Sequence, residues 1–302
     1  MYTRRAVLKG AAATGVSTVA GCGGVLGLHG DTAPVTILAA GSLTTALEHG
    51  LRPVVDPPIR VGTRGSAAVA RLIAAGTRTP DIVSLADPSL FDGPLHPEWY
   101  ATYATNAMVL AYNPETAGGR AVRDAGPSRW WRPILDGTAR FGRTDPDLDP
   151  LGYRTLFTLA LAADYYPDAP ALREQLPARD QVYPETQLLA QFETGGIDAA
   201  LTYRNMAVER GYDYLALPAQ IDLSDPAYAD RYGQQSYTLP SGTTVYGDVI
   251  RYAATVLEDA DRPAVQTVFD AHVEGAYLPQ YGFGQPTRYP QYSGDVPTRL
   301  RQ

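Results

Sequence analysis

Apolar and polar positions along this chain fall into blocks that switch between the periods of strand and helix. The first blocks are an apolar strand over Val35–Ala40, the pair Gly41-Ser42 and a helical stretch from Leu43 to Gly50. A strand over Ile59–Val61 precedes Gly65-Ser66 and a helix over Ala67–Ala75, closed by Gly76, and Asp81–Leu85 reads as a third strand. Strand, helix, strand, helix, strand at this spacing predicts a parallel sheet in an α/β layer. Asn106–Tyr112 is a further apolar strand. A second unit follows, with strand Ala139–Gly142, helix Pro150–Asp164, helix Thr186–Thr194 ended by Gly195-Gly196, and strand Ile197–Tyr203. Beyond it lie Tyr214–Leu217, a polar hairpin-like stretch over Tyr237–Ile250 and a late helix over Pro263–Val273. Two α/β units predict two lobes with ligand held between them at the carboxyl ends of the strands. Crossovers near Met108–Tyr112 and Arg210–Leu217 make the expected first lobe discontinuous, residues 35–112 and 213–302, with the second at 113–212.

The first 21 residues break this pattern. Arg4-Arg5, a short apolar run from Ala6 to Ala20 interrupted by Lys9 and Gly10, and the small residues before Cys22 describe an export signal. The run is shorter than the ~20 apolar residues of a membrane span. The paired arginines resemble a twin-arginine signal. Ala20-Gly21-Cys22 resembles a lipobox, in which Cys22 is lipidated and becomes the new N-terminus, with residues 22–34 as a tether. Such a protein would be anchored to the outer face of the cell membrane. Cys22 is the only cysteine, so a disulfide within the chain and a cysteine cluster for metal are both excluded.

Composition alters the picture in one respect. The 302 residues carry a net charge of −7, built from 24 Arg, a single Lys, 23 Asp and 9 Glu. Loss of Arg4, Arg5 and Lys9 with the signal would take the charge to −10. Nucleic acid is a poor partner for such a chain, because its binding needs a basic surface to displace counterions. Abundant Asp with almost no Lys resembles the salt-adapted proteins of halophilic archaea. At 1 M salt, screening shortens electrostatic steering to about 3 Å, so a charged ligand must be caught by contacts at the site.

Four helix starts offer such contacts: Gly41-Ser42, Gly65-Ser66, Asp149-Pro150 and Pro184-Glu185. Free N–H groups and a positive dipole end suit the first turn of a helix to an anion. Each start taken alone reads more readily as an ordinary cap. The blocks Ala39–Thr44, Gly65–Arg71, Asp81–Asp87, Asn106–Tyr112, Arg140–Pro146 and Asp149–Thr155 occur in order, and Glu185–Leu189, Gly196–Ala207 and Ile221–Tyr232 continue the series. Together they resemble the substrate-binding proteins of archaeal tungstate/molybdate ABC importers, over nearly the whole chain after the signal. The resemblance implies a two-lobed periplasmic-binding-protein fold of type II, acting as a monomer with no cofactor, with tungstate or molybdate in the interlobe cleft and the transporter permease as partner. It also implies roles. Ser42 and Ser66 would hold oxyanion oxygens through hydroxyls and N–H groups, Leu151 would donate its N–H, and Tyr203 its hydroxyl. Asp149 and Glu185 would coordinate the metal directly and make it six-coordinate. The cysteine common after Asp-Pro in this family is Leu151 here, which a backbone donor tolerates.

Carboxylates beside a dianion need a reason. At ~4 Å and an effective dielectric near 20, each would be repelled by about 8 kcal/mol. Asp149 and Glu185 are therefore either protonated donors or ligands of the metal itself. Mo(VI) and W(VI) are d⁰ centres that accept further oxygen donors, and sulfur in sulfate does not.

Other readings are weaker. Asp145, Asp147 and Asp149 alternate as in a calcium loop, yet the sixth and twelfth positions hold Pro150 and Leu156 in place of Gly and Glu. Asp145 and Asp147 then read as a solvated acidic loop. His29, His49, His96 and His272 are dispersed, with no metal-binding spacing. No nucleophile elbow or phosphate-binding Gly-Lys loop occurs, so a binding protein is expected here, with no catalysis. Sulfate, phosphate or ferric ion in the same fold is the open alternative.

Overall fold

The computed structural model describes residues 33–177, 181–257 and 262–298. The expected signal, Cys22 and most of the tether lie outside the described residues. The chain enters through β1 (Val35–Ala40), β2 (Ile59–Arg64), β3 (Ile82–Leu85) and β4 (Trp99–Thr105). It crosses to β5 (Met108–Tyr112), β6 (Phe141–Thr144), β7 (Gln181–Tyr183), β8 (Ala199–Tyr203) and β9 (Tyr214–Ala216). A small hairpin of β10 (Ser236–Thr238) and β11 (Thr244–Tyr246) leads back to β12 (Arg251–Val256) and β13 (Gln291–Gly294).

These strands build a six-stranded sheet in the order β13-β4-β12-β3-β1-β2 and a five-stranded sheet in the order β7-β6-β8-β5-β9. The fold is thus mixed α/β with two lobes. β1 runs parallel to β2 and β3, as expected, and β6 runs parallel to β7 and β8. The inner strands β3, β5 and β8 are buried at every position, consistent with strands covered on both faces. β2 alternates buried Ile59 with exposed Arg60, as an edge strand should.

Two expectations change, and two strands are added. Met108–Tyr112 and Tyr214–Ala216 fall within the expected first lobe, but β5 pairs with β8 and β9 in the second sheet. The outward crossing therefore lies at Asn106-Ala107, and the return follows β9. A fully apolar run shows that a strand is buried on both faces and carries no information on which sheet receives it. The helix expected over Leu43–Gly50 is instead a 3₁₀ turn, Gly41–Leu43, followed by a widened π turn, Ala46–Leu51. Gly50 lies under two rings there: a Cβ on it would come within 2.4 Å of Tyr277 and 2.7 Å of Tyr281. β4 and β12, which the sequence pattern does not reveal, complete the first sheet as an antiparallel pair.

The second-lobe helix Pro150–Tyr165 starts on a side-chain cap, Asp149, with Pro150 in the first turn, where its missing N–H costs nothing. The first-lobe helix Ser66–Ala74 follows Gly65, and the helix Glu185–Glu193 follows Pro184. All three start at the carboxyl end of a strand, on the side where the two lobes meet. No helix among the described residues is long and apolar enough to cross a membrane.

Candidate functional site

The first lobe supplies two serine turns. Ser42 and Ser66 are both buried. Ser42 Oγ lies 3.0 Å from the Tyr252 hydroxyl, and its carbonyl accepts from Asn205 Nδ2 at 2.8 Å. Ser66 Oγ accepts the Ala86 N–H at 3.0 Å. Glycines precede both serines for a reason of space. A Cβ on Gly41 would lie 2.4 Å from Glu185 Oε2, and one on Gly65 would lie 2.5 Å from the Leu148 carbonyl oxygen and 2.6 Å from Asp149 Cβ. Both contacts cross from one lobe to the other.

The second lobe supplies the acids and the tyrosine. Asp149 Oδ1 accepts Thr144 Oγ1 at 2.8 Å and the Gly152 N–H at 3.0 Å. The Leu151 N–H is also turned to this carboxylate, so the backbone donor expected for the ligand is shared with Asp149. Asp149 Oδ2 is buried with no hydrogen-bond partner among the described residues. Glu185 is buried as well and receives the backbone N–H groups of Gly41 and Ser42 across the cleft. Its carboxylate thus takes one donor, the Ser42 N–H, that the resemblance assigns to an oxyanion. Tyr203, 1% exposed, ends β8 with its hydroxyl accepting from Arg154 Nη1 at 2.9 Å.

Electrostatics at this junction are dominated by burial. Loss of solvent pushes Asp149 up to about 7, opposed by the hydrogen bonds from Thr144 and Gly152. Burial and then the Asp149 charge hold Glu185 well above the ordinary carboxylate range. Tyr203 is raised well above its ordinary value, first by burial, and so stays a neutral hydroxyl. A cavity of about 310 Å³, lined by Gly65, Ala68, Leu148, Asp149, Pro184 and Glu185 among others, opens beside the two carboxylates.

The structure therefore brings Ser42, Asp149, Glu185 and Tyr203 to one interlobe junction, with Ser66 at the start of the helix that abuts Leu148 and Asp149. It adds residues given no role from sequence. Arg154 is buried between the lobes, with Nη1 donating to the Ala86 carbonyl at 2.5 Å and Nη2 3.5 Å from Asp87 Oδ2. Tyr153 donates to the same Asp87 oxygen at 2.5 Å. Asn106, at the crossing, donates from Nδ2 to Asn205 Oδ1 at 2.7 Å and to the Tyr252 hydroxyl at 3.2 Å. Glu209, pushed up to about 7 by burial, leans on Thr45 and Asn205 and adds to the negative field at Glu185. Asp147, expected in solvent, accepts the Tyr237 hydroxyl at 2.6 Å. The only signal for Arg154 was a cation inside an otherwise apolar helix, since Arg is almost never fully buried unless paired.

Comparison with known proteins agrees with this architecture. The chain is 54% identical over 301 residues to a Haloferax volcanii protein named for ABC-transporter molybdenum binding, covering 98% of this chain and 96% of that one. It is 28% identical over 291 residues to the molybdate/tungstate-binding protein WtpA of Pyrococcus abyssi, covering 84% of each. The solved periplasmic molybdate-binding protein of Azotobacter vinelandii shares the fold with a TM-score of 0.57 at 13% identity, covering 83% of this chain and 99% of that one. Residues 35–271 match the sequence profile of the bacterial extracellular solute-binding proteins, and the chain belongs to that family.

Proposed function

We propose that this chain is the substrate-binding component of an ABC importer and captures tungstate or molybdate between its lobes. Ser42, Ser66 and Tyr203 donate hydroxyl hydrogen bonds to oxyanion oxygens, the Leu151 N–H adds to them, and Asp149 and Glu185 bind the metal centre through oxygen. The bound oxyanion takes over the Gly41 and Ser42 N–H groups as Glu185 turns to the metal. The protein leaves the cell by a twin-arginine signal and is held on the outer face of the membrane by lipid on Cys22. It works there as a monomer that delivers ligand to the permease, and its acidic, Lys-poor surface suits concentrated salt. The two relatives named for molybdenum or molybdate/tungstate binding support the ligand class.

One observation carries the coordination reading: Asp149 Oδ2, a buried carboxylate oxygen with no hydrogen-bond partner among the described residues, held near buried Glu185. An unsatisfied buried polar group costs about 1–3 kcal/mol, and more when charged. A d⁰ metal that accepts oxygen donors relieves that cost and the mutual repulsion together. Where both acids are ionised, sulfate meets their repulsion with no compensating bond, so coordination supplies selectivity as well as affinity. Calorimetric titration with tungstate, molybdate, sulfate and ferric citrate, joined to X-ray absorption of the tungsten complex, tests the reading. Binding of tungstate and molybdate alone, with a six-coordinate spectrum, is expected. Equal binding of sulfate, or a tetrahedral bound anion, overturns it.

A further inference from the structure

The three site hydroxyls share a feature that their residue types do not require: each has a protein group behind it. Arg154 gives the clearest case. Its guanidinium is buried, has no acceptor and stays charged, so the 2.9 Å contact leaves Tyr203 as acceptor. The Tyr203 proton must then point away from Arg154. Ser66 Oγ accepts the Ala86 N–H, and a backbone N–H cannot reverse its role. Its proton too is left for another partner.

Behind Ser42 the direction has to be worked out. Asn106 Oδ1 accepts the Ala107 N–H at 2.9 Å, which fixes the amide so that Nδ2 faces Asn205 Oδ1 and the Tyr252 hydroxyl. With its oxygen accepting from Asn106, Tyr252 has its proton free for Ser42 Oγ, 3.0 Å away. The Ser42 proton is then released in turn. Three hydroxyls from two lobes are polarised in one sense by three different kinds of donor: a phenol relayed from an amide, a backbone N–H and a guanidinium.

We infer that Tyr252, the Ala86 N–H and Arg154 act as positioning groups that hold Ser42, Ser66 and Tyr203 as proton donors facing the ligand. The inference rests on the oxyanion reading above and deepens it. A free hydroxyl can donate or accept and must reorient to bind an anion. Here the orientation is set before the ligand arrives, which lowers the cost of binding. Tyr252 is therefore a positioning residue that acts on the anion only through Ser42. Its ring packs edge-on against Phe283 with centroids 5.1 Å apart, so Phe in its place keeps the packing and removes only the hydroxyl.

The experiment is a double-mutant cycle on the full chain, reading sodium tungstate and sodium molybdate affinity by calorimetry, with thermal unfolding of each variant alongside. Tyr252→Phe should weaken binding about tenfold when Ser42 is present, the lower range for a hydrogen bond to a charged group. In the Ser42→Ala background the same change should weaken it less than about twofold, since the coupled hydroxyl is gone. Equal losses in both backgrounds, or no loss in the wild-type background, overturn the inference while leaving the oxyanion reading in place. A wild-type chain that binds neither anion removes the reading and the inference together.

Discussion

Asp149 holds its two oxygens in different settings, and replacing it with Asn separates them. Oδ1 caps the helix Pro150–Tyr165 through Gly152 and takes the Thr144 hydroxyl, while Oδ2 has no partner among the described residues. Asn is as good a cap as Asp and keeps an oxygen for Oδ1. What disappears is the charge and the free oxygen. A carboxyl moved by burial from 3.8 to about 7 favours folding below pH 3.8 and loses that advantage as pH rises through 7. At pH 8 the ligand-free fold therefore carries a penalty of roughly 4 kcal/mol from this group. The amide N–H₂ that takes the place of Oδ2 needs a partner of its own, which returns about 1–3 kcal/mol of that gain. Asp149→Asn without ligand should thus be more stable than wild type by about 1–3 kcal/mol at pH 8, or roughly 2–4 °C per kcal/mol in Tm. Below pH 4, where that penalty on the wild-type carboxyl is gone, the amide's unmet partner remains and the variant should be the less stable of the two by about 1–3 kcal/mol. The same change should lose the six-coordinate tungstate spectrum and ease the exclusion of sulfate, because the Asp149 share of the repulsion, about 8 kcal/mol at ~4 Å, goes with the charge while the Glu185 share stays. Calorimetry and thermal unfolding at pH 4 and pH 8, with and without tungstate, read all of this. A variant that melts lower at pH 8, or that still binds tungstate tightly while excluding sulfate, refutes the assignment of Oδ2.

Gly41→Ala should leave the fold intact, since the atom it meets is the end of a side chain, but drive the Glu185 carboxylate about 1 Å away and weaken tungstate binding on the order of a hundredfold. Unchanged affinity in calorimetry would place Glu185 outside the site. Tyr203→Phe should cost roughly tenfold or more in affinity, one charge-assisted hydrogen bond, and should also lower Tm because Arg154 Nη1 loses an acceptor. His272 is buried between Tyr277 and Ser84, with burial lowering it from 6.5 to about 3. Its contribution is complete above pH 6.5 and is lost as pH falls toward 3, because the unfolded chain takes the proton first. Urea unfolding between pH 7 and 4 should show this slope, and His272→Gln should flatten it; an unchanged slope assigns acid sensitivity elsewhere.

The parallel start of the first sheet is legible because β1 and β3 are short apolar strands, β2 opens on Ile59 and Val61, and the Gly41-Ser42 turn and the Gly65-Ser66 helix start separate the three. β5 was visible as a strand but misplaced, since its buried positions say nothing of its partners. β4 and β12 were missed: Trp-Tyr-Ala-Thr-Tyr-Ala-Thr and Arg-Tyr-Ala-Ala-Thr-Val mix aromatic, small and polar residues and show neither clean period. Ser42, Ser66, Asp149 and Glu185 carry a local mark, as caps or glycine-serine turns, whereas Leu151 and Tyr203 enter the candidate site only through the family resemblance. Arg154, Tyr252, Asn106 and Asn205 had no such mark. Their placement depends on partners 49 to 210 residues away, such as Tyr203 for Arg154 and Ser42 for Tyr252.

Contacts between the lobes bear on how ligand would drive closure. The Ala68 N–H donates to the Leu148 carbonyl at 3.0 Å, and Arg71 Nη1 to the Asp147 carbonyl at 2.7 Å. Arg154 reaches Ala86, Tyr153 reaches Asp87, and Asn205 reaches Ser42. None of these requires an anion. Closing the lobes is thus favoured in part by the protein's own hydrogen bonds, and the ligand need supply only its differential affinity for the closed arrangement. Against this stand Asp149, Glu185 and Glu209, whose burial in the same junction penalises closure while they are ionised. The balance gives the acids a second use. A ligand that neutralises them by coordination closes the lobes, whereas one that leaves their charge unmatched adds repulsion to a junction already short of compensation.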